Sequence, residues 1–145
     1  MFDAHQELFE PFAATPYAAV LGIKLLELSS GYAKLSMVVQ PSHFNFAKAV
    51  HGGAMMSLLD QAFACAVNSY GKLYVAVQVS TSFFGTAEVG ETIYGEGKVL
   101  HFGKTISVCE MTVANAEGKL LAKATGTAAA IHNRKPTGEP VESGT

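Results

Sequence analysis

From Gly52 to Gly71 the chain reads GGAMMSLLDQAFACAVNSYG, and Asp60 is the only charged residue in it. A helix this apolar cannot lie on a surface in the ordinary amphipathic way, so any fold the chain adopts must wrap it in protein. The helix is expected to run from Gly52 to about Asn68, with Gly71 placed to stop it. At about 100° per residue, Met55, Leu58, Leu59, Ala62, Phe63, Ala66 and Val67 fall in one broad arc, the core face. The other side holds Gly53, Ala54, Ser57, Asp60, Gln61, Ala64, Cys65 and Asn68. A solvated face would carry Lys, Glu or Arg there. Small and neutral residues instead point to a face covered by more protein, and one small domain has only one sheet to offer. A second copy of the chain is therefore the expected cover, most simply as a two-fold dimer.

The segments flanking this helix read as strands. Ala4 to Phe12 suits a short peripheral helix that Pro11 and the small residues after it bring to an end, with a linker to residue 17. Ala18 to Leu28 and Tyr32 to Val39 favour strands about a turn at Ser29-Ser30-Gly31, and Pro41 to Val50 lacks a clean period, as a loop does. After the helix come four strand-like runs, Leu73 to Phe84, Thr92 to His101, Thr105 to Ala114 and Lys119 to His132, separated by turn residues. Ile106, Val108, Met111 and Val113 are interrupted by Ser107, Glu110 and Thr112, with an irregularity near Cys109 that reads as a bulge. Strands joined by short loops pair as an antiparallel meander. The expected fold is α+β, one long central helix wrapped by a curved antiparallel sheet of five to six strands, as a single domain over residues 1–132. Residues 133–145 are rich in Pro, Gly and charge and are expected to be disordered.

Composition narrows the function. With 145 residues, 49% of them hydrophobic, and a net charge of -2, neither disorder nor general attraction to nucleic acid is favoured. No apolar run is long enough to cross a bilayer, and the N-terminal residues lack the order of a secretory signal, so no membrane association is expected. Cys65 and Cys109 lie in apolar periodic stretches and read as small buried hydrophobes, which makes a cytoplasmic setting the default. His43 and His51 have no Cys or acidic ligand near them in sequence to complete a zinc set, and no metal is assigned.

His51-Gly52-Gly53 stands immediately before the helix. Two glycines at a helix start clear side chains from the point where free backbone N–H groups and the positive end of the dipole converge, so a ligand carbonyl can approach closely. Such a tip is able to act as an oxyanion hole. Asp60 lies roughly 12 Å further along the axis at 1.5 Å per residue, well beyond the about 3.5 Å that attack on a carbonyl carbon held at Gly52 requires. Another chain's Asp60, brought up by an antiparallel pairing of helices about a two-fold axis, has the necessary reach.

Asn45, His51-Gly52-Gly53 and Asp60, in the spacing N-x5-HGG-x6-D followed by LLDQAFACAVNSYG, resemble the hotdog-fold thioesterases of the phenylacetate-degradation type. The resemblance covers nearly the whole chain, from the first hairpin to the last strand. It implies a helix wrapped by an antiparallel sheet, dimers joined edge to edge into one long sheet, often a tetramer of two such dimers, and hydrolysis of acyl-coenzyme A thioesters to free acid and coenzyme A without a cofactor. By the same resemblance Asp60 is nucleophile or general base for water, Gly52 polarises the thioester carbonyl through its N–H, and Asn45 and His51 position the loop or the thioester. Many relatives carry a Ser or Thr early in the strand after the helix. Aligning Phe83-Phe84 on the family's aromatic position puts Ala76 there, and strand alternation sets Gln78 and Ser80 on the same face as possible replacements for the missing hydroxyl. Gly53, Phe46, Gln78, Ser80, Phe83 and Lys104 are the expected substrate-binding residues. Tyr74 and Phe84 are further candidates for an acyl or aryl pocket, and Lys98, Arg134 and Lys135 for the coenzyme A phosphates, with the nucleotide largely exposed. Two other readings share the fold, a non-catalytic acyl-CoA-binding or regulatory module and a 3-hydroxyacyl thioester dehydratase; the latter normally has a Pro- and Gly-rich loop joining a His and an acid, which is absent here.

Overall fold

In the computed structural model, which describes residues 4–142, the chain forms α1 (Ala4–Ala13), α2 (Pro16–Leu21), β1 (Ile23–Ser29), β2 (Tyr32–Val38), a 3-10 turn (Pro41–His43), α3 (Gly52–Asn68), β3 (Leu73–Phe83), β4 (Thr92–Phe102), β5 (Ile106–Asn115) and β6 (Leu120–Ile131). The six strands make one antiparallel sheet in the order β1-β2-β4-β5-β6-β3. This α+β architecture wraps α3, whose Leu58, Leu59, Ala62, Phe63 and Ala66 are buried against Leu35 and Met37 of β2, Ile93 of β4, Met111 and Val113 of β5, and Leu121 of β6.

The meander expected after the helix is corrected. β3 does not pair with β4; it pairs with β6 at the far edge of the sheet, and β4 returns to lie beside β2. Helix α3 crosses the sheet and delivers β3 to that edge, and residues 84–91 carry the chain back. Short connections favour neighbouring strands, but a core-filling helix with strands on both sides sets the order here.

The N-terminal reading also changes. Helix α1 runs one residue past the expected Phe12, to Ala13, ending in the small residues after Pro11, with a last turn made by Ala14 N–H to Glu10 O at 3.0 Å. It is not merely peripheral, since Leu8 is buried and Phe9 and Phe12 pack against the core. Residues 16–21, read partly as linker and partly as strand, form α2. Pro16 stands in its first turn and Gly22 caps it in the left-handed region at φ 76°. The aliphatic Val20 and Leu21 imitate a strand in one dimension, and the Pro and Gly that bracket them decide for a helix turn.

The irregularity near Cys109 lies on the neighbouring strand. β5 alternates regularly, with Ser107, Cys109, Met111 and Val113 all inward, and the extra residue is Leu100 of β4, inserted between the pairs Val99–Cys109 and His101–Val108. Within the C-terminal segment, Lys135 N–H bonds Glu139 O at 2.7 Å and Val141 N–H bonds Asn133 O at 3.2 Å. Residues 143–145 lie outside the described residues.

Asn68 and Ser69 tie the end of α3 to the sheet. The Asn68 amide accepts from Tyr74 N–H at 2.6 Å and donates to Tyr74 O at 3.1 Å, while Ser69 Oγ accepts from Gly31 N–H at 2.7 Å. Helix and sheet pack closely at Gly97, where an added Cβ would stand 2.5 Å from the Ala62 carbonyl oxygen. Backbone cannot yield there without displacing α3. Gly97→Ala is therefore expected to lower folding stability by about 1–3 kcal/mol, read as a shift in denaturant midpoint.

Candidate active site

The loop from Gln40 to His51 delivers a bare helix tip. His43 is buried, its Nδ1 accepting from Gln40 N–H at 3.0 Å and its Nε2 bonded to Leu21 O at 2.9 Å, so it is a structural anchor. Asn45 Oδ1 accepts from Ala47 N–H at 2.9 Å and Ala49 N–H at 3.1 Å and closes the turn in which Lys48 takes φ 61°. The main chain then runs into α3 with Val50 N–H on Thr86 Oγ1 at 2.8 Å and His51 N–H on His43 O at 2.7 Å. His51 is the N-cap, and its Nδ1 accepts from Gly53 N–H at 2.7 Å. A ring whose Nδ1 accepts carries its neutral-form proton on Nε2, which makes the exposed edge of His51 a donor.

Of the first amides of α3, Gly53 is satisfied by the imidazole, and Ala54 and Met55 bond to His51 O. The Gly52 N–H has no acceptor among the described residues. It points out of the helix start, where the dipole adds positive potential, and a carbonyl oxygen is the group it suits. Space at the tip is set by two rings. A Cβ on Gly53 would meet His51 Nδ1 at 3.0 Å, and one on Gly52 would meet Phe83 Cζ at 3.5 Å. Phe83 of β3 thus walls the tip.

Asp60 sits two turns along the same helix, on a stripe with Gly53, Ser57 and Ala64. Its carboxylate makes no hydrogen bond or ion pair among the described residues. The end of its side chain reaches solvent in a single chain, yet the protein packed around its base keeps enough water away that burial pushes its carboxyl pKa above the ordinary carboxylate value. The face around it is narrower than the sequence implies. Part of what a second copy was expected to cover is closed by this chain's own N-terminal segment, with Tyr17 Oη 3.0 Å from Ser57 Oγ and Gln61 Nε2 donating to Thr15 Oγ1 at 2.9 Å. Ala54, Cys65 and Asn68 are buried. Sequence reasoning missed Thr15 and Tyr17 because it placed no helix there.

Strand β3 carries a bulge at Val77, between the pairs Ala76–Ala128 and Gln78–Thr127. The bulge reverses the alternation, and the expectation that Ala76, Gln78 and Ser80 share a face is corrected. Ala76, Val79, Thr81 and Phe83 pair with the inward-facing Ala128, Gly126, Ala124 and Ala122, while Gln78 and Ser80 turn to the outer face. The hydroxyl on the inner face is that of Thr81, which lies 3.2 Å from Met56 Sδ. Tyr74 is core, its hydroxyl donating to Gly103 O at 2.6 Å; Phe84 lies with Ser80 and Ser82 in a shallow outer groove; and Phe46 is fully exposed on the loop before the tip.

A separate cavity of about 420 Å³ lies at the opposite end of β3, lined by Lys72, Lys104, His132, Arg134 and Lys135 with Thr105 and Ile131. Three of the cations singled out from the sequence converge there and Lys98 does not, since it stands on the outer sheet between Tyr32 and Glu110. Lys72, next to the helix stop, was missed. Among the described residues no three His, Cys, Asp or Glu side chains are grouped to hold a metal, and no helix is long and apolar enough to cross a membrane.

A helix sheathed by a six-stranded antiparallel sheet, with a bare glycine tip and a carboxylate on its uncovered stripe, is the hotdog architecture. Residues 47–122, which include both the tip and Asp60, match the thioesterase superfamily, and the chain belongs to that family of thioester hydrolases. It is 33% identical over 105 residues to the acyl-coenzyme A thioesterase PaaI of Escherichia coli, a match spanning 72% of this chain and 75% of that protein. The solved structure of the E. coli PaaI protein superposes with a TM-score of 0.84 at 30% identity, over 88% of this chain and 93% of that one. A putative esterase of Archaeoglobus fulgidus is 40% identical over 117 residues, 81% of this chain and 76% of the relative. A Streptococcus mutans protein solved with acetyl CoA bound has a TM-score of 0.73 and 26% identity, covering 76% and 89% of the two chains.

Proposed function

We propose that the protein hydrolyses acyl-coenzyme A thioesters of small aryl or medium-length acyl groups to the free acid and coenzyme A, at sites shared between two copies of the chain. The observation that carries this reading is the Gly52 N–H, which has no acceptor among the described residues and stands at a tip stripped of side chains. A thioester oxygen bound there gains a donor aimed at the charge that develops on attack.

The second copy enters through β3. This edge strand has no charged residue from Leu73 to Phe83, exposes Val75, Val77 and Phe83, and has no strand paired on its outer side among the described residues. The other edge, β1, carries Lys24 and Glu27 and is interrupted by a bulge at Leu26. Two copies of β3 related by a two-fold axis run antiparallel, so the two α3 helices do so as well, and Asp60 of one copy approaches Gly52 of the other. The same operation brings the start of one β3, with its basic cavity, towards the Phe83 end of its mate. The coenzyme A phosphates then lie against Lys72, Lys104, Arg134 and Lys135 of the second copy while the thioester reaches the tip.

In the reaction, the carbonyl oxygen accepts from Gly52 N–H, and Asp60 of the other copy either attacks the carbonyl carbon or takes a proton from the attacking water. The C–S bond breaks and the sulfur leaves as thiolate, which takes up a proton given up by the water; where Asp60 has attacked, that water opens the acyl–Asp60 anhydride, releasing the acid and restoring the carboxylate. Partial desolvation makes Asp60 a better base than a free carboxylate. His51, through Nδ1, holds the first turn in place, and Asn45 holds the loop that presents it. Coenzyme A belongs to the substrate, no cofactor takes part, and the two buried free thiols suit a cytoplasmic enzyme.

The test is thiol release from a series of acyl-CoAs, with the same acyl groups on pantetheine, which lacks the nucleotide. Release from the CoA series is expected, with a higher KM and similar kcat for the pantetheine thioesters. Absence of release from every acyl-CoA overturns the reading.

A further inference from the structure

Tyr17 has an environment that the fold alone does not require. Ser57 Oγ–H donates to Gly53 O at 2.8 Å, and Tyr17 Oη lies 3.0 Å from the same Oγ. Ser57 has one proton and spends it on the carbonyl, so the Tyr17 hydroxyl must be the donor to Ser57. This fixes the phenol end on α3 one turn before Asp60. The rest of the ring is not packed into the core: Tyr17 is 61% exposed, and Val20, one turn along α2, is 81% exposed. Gln61, the residue after Asp60, is held to Thr15 from the same segment. The N-terminal segment is thereby tied to α3 on both sides of the carboxylate and carries an exposed aromatic ring with an exposed aliphatic neighbour.

Resting on the proposed thioesterase reading, we infer that Tyr17 is a specificity-determining residue: its ring, with Val20, forms the wall that receives the acyl group whose carbonyl meets Asp60 of the same chain. An oriented, largely exposed ring suits an aryl group, which gains from ring-to-ring contact and from apolar burial, and offers little to an acetyl group. The hydroxyl orients the ring and does not touch the reacting atoms.

The experiment compares kcat/KM for phenylacetyl-CoA and acetyl-CoA in wild type, Tyr17→Phe and Tyr17→Ala. Tyr17→Ala is expected to lose about tenfold towards phenylacetyl-CoA while staying within about twofold for acetyl-CoA, the scale of one lost aromatic contact with its buried area. Tyr17→Phe, which keeps the ring, is expected to keep most of the preference. Equal losses on both substrates would mean that Tyr17 merely supports Asp60, and no loss on either that the acyl group lies elsewhere; each overturns the inference. Unchanged acetyl-CoA turnover shows the hydrolytic machinery intact, so failure of the inference is distinct from failure of the parent reading, in which wild type releases thiol from no acyl-CoA and both fall.

Discussion

Replacing Asp60 with asparagine is expected to lower kcat for thioester hydrolysis by about a thousandfold or more, the usual cost of removing a reacting carboxylate or base, while the variant folds better than the wild type near neutral pH. Both effects come from one cause. Burial raises the Asp60 carboxyl pKa, so the folded chain holds that proton more tightly than the unfolded chain, and ionisation of Asp60 works against the fold. The stability gain in Asp60→Asn should therefore be present above the raised folded-state pKa and vanish in acid below the unfolded value, a difference that melting curves at several pH values read directly. The acid limb of the wild-type rate profile follows the same group. Activity should fall as Asp60 takes up its proton, beginning at a higher pH than an ordinary carboxylate would give. Wild-type turnover in Asp60→Asn and Asp60→Ala would remove Asp60 from the mechanism.

The second large effect concerns a single backbone hydrogen. Gly52→Pro deletes the free N–H and little else: Gly52 is the first helical residue, a position where proline is accepted, and the preceding His51 already has φ -59° and ψ 137°, as a residue before proline requires. Melting temperature should stay close to wild type. The value of kcat should drop by about 10²–10³, as for loss of an oxyanion-hole donor. Gly52→Ala keeps the N–H, and its Cβ makes an ordinary contact with Phe83, so it should retain most activity. Mixing the two inactive chains then tests where each site is built. In a heterodimer of Asp60→Asn with Gly52→Pro, one site pairs the intact Gly52 of the first chain with the intact Asp60 of the second. Random reassortment of equal amounts should restore about a quarter of wild-type activity, given two sites per two-fold dimer. A mixture no more active than its components would mean that each site is contained in one chain.

Much of this was legible in one dimension. The absence of charge from Gly52 to Gly71 and the period of Leu58, Leu59, Ala62 and Phe63 are local properties, and they require a sheathed helix whatever the rest of the chain does. His51-Gly52-Gly53 announces a bare tip because capping and glycine space are decided within three residues. The misread parts depended on distant neighbours. Val20 and Leu21 look like strand until Pro16 and Gly22 are seen to close a helical turn, and the bulge read at Cys109 proved to be Leu100 on the strand beside it. One inserted residue, Val77, reversed the facing of Gln78 and Ser80, since strand alternation has a period of two and no memory of what interrupts it.

The chain by itself therefore determined the central helix, its uncharged faces, the glycine tip and the lone carboxylate, because each arises from residues close in sequence. Only the tertiary structure decided that β3 lies at an open edge, that Lys72, Lys104 and Arg134 converge on one cavity, and that Tyr17 reaches across forty positions to Ser57 beside Asp60. Those placements result from packing a helix inside a sheet, and a long-range contact leaves no periodic trace in the sequence that makes it.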